Sequence, residues 1–135
     1  MLVIQLRQSA YAALLCHTVE EKLAKIFVLS TALQSNQYQL DAVFQLPAFD
    51  CPGRPLKPIL VLPREVPRRS LNTVEGRAAL LHAIAHIEFN AINLACDAMQ
   101  RFPNMPEQYY LEWASVAIDE ARHFQLLQTR LKELG

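Results

Sequence analysis

Glu120 and His123 stand three residues apart, and Glu88 lies on the preceding apolar segment. At about 100° per residue, Glu120 falls at the centre of an apolar stripe. Tyr109, Trp113, Val116, Phe124, Leu127, Leu131 and Leu134 project within about 40° of it, and His123 about 60° to one side. On the earlier segment, Leu81, Ile84, Ile92, Ala95 and Met99 project within about 40° of Glu88. Two carboxylates are therefore expected to face one interior. Burying an ionised carboxylate without a partner costs several kcal/mol, and neither stripe carries a Lys or Arg. A metal ion would supply the missing positive charge. Glu-x-x-His places two ligands one turn apart on one helix face, the spacing used by carboxylate-bridged two-metal bundles. Carboxylate oxygen and imidazole nitrogen suit iron or manganese. A single buried Glu or His is ordinarily explained by hydrogen bonding in a core, and Glu-x-x-His recurs by chance. It is the placement of Glu88, Glu120 and His123 on facing stripes that points to a metal.

His82 and His86 form a second pair, one turn apart. They project about 120° and 160° from Glu88, on a different face with Glu75, Phe89 and Asn93, so they cannot join Glu88 at one ion without distorting the helix. They read as residues behind the ligands or at an interface. The run HAIAHIE also lacks the His-Glu-x-x-His order of zinc peptidases.

Proline placement sets the elements that must carry these residues. None of the 8 prolines precedes Pro47, six fall between Pro47 and Pro67, and the last two are Pro103 and Pro106. The Pro-free stretches can hold helices and the Pro-rich one cannot. A short helix is expected over 9–16 and a longer one over 19–34, opened by Thr18 and Glu21 as a capping box. Leu23, Ile26, Phe27, Ser30 and Leu33 recur along it at helical spacing. Two long helices follow, over 73–101 with Thr73 or Asn72 as cap, and over 107–134. The turn at 102–106 is short enough to make them antiparallel neighbours. One domain results, in three parts: N-terminal helices over 1–46, an extended arm over 47–71 and a helix pair over 72–135. The arm carries Arg54, Lys57, Arg64, Arg68 and Arg69 against Asp50 and Glu65, a local excess of three positive charges, and its 59–62 segment is apolar enough to fill a groove. A solvated strap along a bundle accounts for it, since no aromatic residue for base stacking is interleaved with those charges.

Composition excludes several classes. The 135 residues allow one domain with a sizeable core. Hydrophobic residues at 52% and charged residues at 19% are too apolar for a disordered chain. Thirteen basic residues cancel thirteen acidic ones, against a chain built chiefly to grip nucleic acid or an anionic membrane. Cys16, Cys51 and Cys96 are odd in number and far apart, which fits free buried thiols in a reducing cytoplasm rather than a disulfide or thiolate-zinc scaffold. No run of 18 apolar residues occurs, so no membrane span is expected.

Residues 75–99, EGRAALLHAIAHIEFNAINLACDAM, and 113–127, WASVAIDEARHFQLL, resemble an uncharacterised ferritin-like family, domain of unknown function 455. The lead-in over 52–71, PGRPLKPILVLPREVPRRSL, is similar to that family's Pro-rich segment. The resemblance covers nearly the whole chain. It implies an all-α, ferritin-like helical bundle with a two-metal site, in which Glu88 matches the first-helix Glu and Glu120 with His123 the following Glu-x-x-His. Family members usually continue into two more helices bearing another Glu and another Glu-x-x-His, so this chain holds half of the usual set. Either it is a truncated or fragmentary form that cannot hold a normal site, or a homodimer doubles the half-site.

The expected function is that of a non-haem di-iron or di-manganese oxidoreductase activating O2 toward an unknown small substrate. Two ions would make a complete site, with Glu120 bridging, His123 terminal, and Asp119 or one of His82 and His86 orienting the ligands. Tyr109 and Trp113 could line a cavity, although core filling accounts for them. The alternative is a metal-free helical structural or interaction domain. A third option, hydroxylation of a tRNA base by analogy with other ferritin-like enzymes, rests on the arm's positive excess alone.

Overall fold

A computed structural model describes residues 3–49, 51–53 and 70–134. The greater part of the arm, over 54–69, lies outside the described residues, and with it the groove-filling segment and the excess of positive charge. The described residues form an all-α bundle of four helices: α1 (Leu6–Leu15), α2 (Val19–Gln34), α3 (Val74–Arg101) and α4 (Glu107–Leu134). Two residues on either side of the N-terminal helices pair as strands, β1 (Ile4–Gln5) and β2 (Tyr38–Gln39), in parallel with Ile4 opposite Tyr38. The sequence gives no sign of this pair, because two residues are too few for a periodic pattern.

Capping chemistry sets the helix ends. Thr18 Oγ1 accepts from Glu21 N–H at 3.2 Å to open α2, and Thr73 Oγ1 accepts from Gly76 N–H at 2.9 Å to open α3. Gly76 is required there, since a Cβ would fall 1.3 Å from Ser70 O. Helix α2 closes on Asn36, whose φ of 57° lies in the left-handed region. Asn36 N–H reaches Leu33 O and Gln37 N–H reaches Ala32 O, a Schellman closure built on Asn in place of Gly.

Helices α3 and α4 pack antiparallel along their length. Tyr109 Oη donates to Ala98 O near the connecting turn, and the Phe89 and Phe124 rings lie 5.8 Å apart further along. Helices α1 and α2 pack against this pair from one side, α1 on α3 and α2 on α4. That one-sidedness corrects the stripe reading. The buried residues of α4 are Tyr110, Ala114, Ala117, Ile118, Ala121 and Phe124, an arc centred about 95° from Glu120. On α3 the buried arc, including Ala85, Phe89, Ile92, Cys96 and Met99, is centred about 70° from Glu88. Both carboxylates therefore stand at the rim of the core rather than at its centre. The N-terminal layer covers only one side of the helix pair, and Leu80, Ile87, Leu94, Val116 and Leu126 remain exposed.

Helix α3 holds an 18-residue window of mean hydropathy 1.2, long and apolar enough to cross a membrane by length and composition alone. The same signature belongs to a core helix, and α3 packs here against α1 and α4. Cys16 and Cys96 are buried free thiols as expected, whereas Cys51 is exposed.

Candidate metal centre

The antiparallel packing of α3 and α4 brings residue 88 beside residues 120 and 123. One donor atom from each of Glu88, Glu120 and His123 lies within 4.8 Å of the others. His123 Nδ1 is 3.7 Å from Glu88 Oε2 and 3.6 Å from Glu120 Oε2. Those separations exceed a hydrogen bond. They are close to the spacing of two donors sharing one ion, about 3.0–3.6 Å for ligands about 2.1 Å from it. Glu88 Oε2 is buried and has no hydrogen-bond partner among the described residues. An orphaned carboxylate oxygen beside a second carboxylate and an imidazole is a donor set that fits iron or manganese.

The side chains of Glu88 and Glu120 are 20% and 23% exposed, and that of His123 is 55% exposed. His123 thus stands at the open edge, where the sequence stripe places it further in. Asp119, a candidate to orient the ligands, instead lies 3.7 Å from Arg122 on the solvent side of α4. Tyr109 and Trp113 meet edge to face, with centroids 6.4 Å apart, and pack against the core cluster. His82 and His86 form their own pair on α3, with ring centroids 5.1 Å apart. Burial, then the neighbouring His82, pushes the His86 imidazole below its ordinary pKa.

Two buried cations escaped the sequence reading. Arg7 is 1% exposed. Its guanidinium donates to Met99 O and Gln100 O at the C-terminus of α3, and to Asp41 O, Ala42 O and Phe44 O. A cation at that helix end satisfies carbonyls left without partners and opposes the helix dipole. Asp41 in turn accepts from Arg7 N–H at 2.7 Å and Gln8 N–H at 3.0 Å, closing the start of α1. Lys22 is fully buried, its Nζ donating to Leu14 O and Asn93 Oδ1 and lying 5.2 Å from the Phe89 ring centroid. Burial lowers its pKa to about 8, against the opposing pull of Cys96 and Cys16. Burial pushes the Cys96 thiol up to about 12. The signal for both cations was available: Arg7 shares a face with Ala10 and Leu14, and Lys22 with Ile26 and Leu29. A cleft of about 520 Å³ between residues 45–49, Pro52 and Asn90, Asp97 and Arg101 of α3 contains none of Glu88, Glu120 and His123.

A family model described as protein of unknown function (DUF455) matches residues 15–135. The chain belongs to this family. An uncharacterized protein of Haemophilus influenzae is 50% identical over 88 residues. That match covers 60% of this chain and 31% of the relative's length. No solved structure matches the chain. Glu88, Glu120 and His123 all fall inside the stretch that the DUF455 model matches.

Proposed function

We propose that the rim formed by Glu88, Glu120 and His123 is the metal centre of a ferritin-like oxidoreductase that takes iron or manganese. The observation that carries this reading is the buried Oε2 of Glu88, without a hydrogen-bond partner among the described residues, in a group of three donors within 4.8 Å. Glu88 and Glu120 would neutralise the bound charge, and His123 would supply a nitrogen ligand from the open edge. Iron bound there supplies O2 activation for oxidation or hydroxylation of a small substrate. The helices hold the two carboxylates at fixed separation without drawing on a loop.

The reading extends to a second copy of the chain. Leu80, Ile87, Leu94, Val116 and Leu126 are exposed and project away from the buried arcs of α3 and α4. Two copies joined across that face would assemble four carboxylates and two imidazoles, the ligand set of a two-metal centre. Native mass spectrometry after anaerobic loading with Fe(II) tests this. A dimer carrying two ions is expected. A monomer with one ion contradicts the pairing, and a chain with no bound ion contradicts the metal centre.

A metal-free helical interaction domain is the second reading. It is favoured by the position of His123, within ion-pair reach of both carboxylates, where an imidazolium would itself supply one compensating charge. Such a protein would gain no heat resistance from Fe(II) or Mn(II).

A further inference from the structure

A second cluster with ligand chemistry lies on a different face of α3 from Glu88. His82 and His86 lie one helical turn apart, with ring centroids 5.1 Å apart and ring planes inclined by 43°. An imidazole nitrogen sits about 2.0–2.1 Å from a bound zinc, which puts each ring centroid about 3.2 Å from the ion. Two rings chelating at between a right angle and a tetrahedral angle therefore stand about 4.5–5.2 Å apart. The observed separation falls in that range without any change of the helix. Among the described residues neither ring makes a hydrogen bond or an ion pair, so both nitrogens of each remain available. His82 is exposed and His86 half-buried, which gives an ion a path in and leaves room for water as the remaining ligands.

We propose that His82 and His86 form a separate bis-imidazole site for a borderline divalent cation of the zinc, nickel or copper type. Its chemistry differs from that of the rim. Two neutral nitrogens and water favour ions late in the first transition row, whereas two carboxylates and one nitrogen suit iron and manganese. A helix holds residues four apart on one face, so the two rings are neighbours before the ion arrives and little ordering is needed on binding. The two sites would sort cations by ligand type on one helix.

The test uses Ni(II) as the probe in isothermal titration calorimetry. Four proteins are compared: wild type, His82→Ala, His86→Ala, and a variant with Glu88→Gln, Glu120→Gln and His123→Ala. One Ni(II) equivalent is expected to persist in the rim variant and to weaken at least about tenfold in either single histidine variant, because one of two linked ligands is gone. Imidazole proton signals of His82 and His86 should shift together on adding Zn(II), which is diamagnetic and reports binding on the wild-type chain itself. Ni(II) affinity unchanged by both histidine substitutions would overturn the site, as would loss of all Ni(II) binding in the folded rim variant. Neither result bears on iron at the rim, which is tested with Fe(II).

Discussion

Charge is buried in two regions of this molecule, and the two are treated differently. Under the α1–α2 layer, Arg7 and Lys22 are enclosed and each has partners. Arg7 donates to five backbone carbonyls, and Lys22 to a carbonyl and an amide oxygen. On the other flank of the same helix pair, Glu88 Oε2 is buried with no partner among the described residues, beside Glu120 and His123 at distances too long for hydrogen bonds. Where the fold uses a charge to hold helices together, it supplies the partners. At the rim Glu88 Oε2 has no hydrogen-bond partner among the described residues, the gap that the proposed cation would fill.

The sharpest way to break this comparison is to remove a structural cation. Arg7→Met leaves the last carbonyls of α3 unpartnered in an enclosed site, and a loss of about 3–5 kcal/mol is expected in urea unfolding. A loss below about 1 kcal/mol would mean that the guanidinium network contributes little, and the contrast with the rim would lose its reference point.

The second comparison uses pH. A lysine whose folded pKa is about 8 binds fewer protons folded than unfolded between pH 8 and 10.5, so its contribution to stability improves as pH rises through that window. Cys96 acts oppositely above pH 9, because its thiol stays protonated in the folded state up to about 12. Stability should therefore rise by about 1 kcal/mol between pH 8 and 9 and then flatten. Lys22→Met removes the rise, while leaving Asn93 Oδ1 and Leu14 O without their donor. A rise that survives in Lys22→Met would assign it to another group.

The smallest effect is expected at the rim. Without metal, Glu88→Gln removes one of two neighbouring carboxylates and gives the site an amide that can donate to Glu120. Stability should change by less than about 1 kcal/mol, and upward. A loss of several kcal/mol would show that Glu88 has a structural partner after all.

The long helices were legible because the prolines leave two uninterrupted stretches and because Thr18 and Thr73 mark their starts. Helix α2 and α4 begin and end where the periodicity places them. Helix α1 starts earlier than the apolar pattern indicates, at Leu6, because its amide groups at Arg7 and Gln8 are satisfied by Asp41 from a distant part of the chain. No local rule contains such a partner. The candidate trio of Glu88, Glu120 and His123 was legible as residue types and spacing, and its members do come together. Their depth was not: a helical projection shows which side is apolar, and which part of that side is covered depends on where neighbouring helices pack. Arg7 and Lys22 were passed over because long cationic side chains usually reach solvent, although both lie on apolar faces.

The rim of α3 and α4 is proposed to bind a cation through Glu88, Glu120 and His123. Anaerobic calorimetric titration with Fe(II), on the wild-type chain and on Glu88→Gln with Glu120→Gln, measures it directly. Saturable binding to wild type that is lost in the folded double variant is the expected result. Identical titrations for the two proteins, or no heat of binding in either, would contradict it.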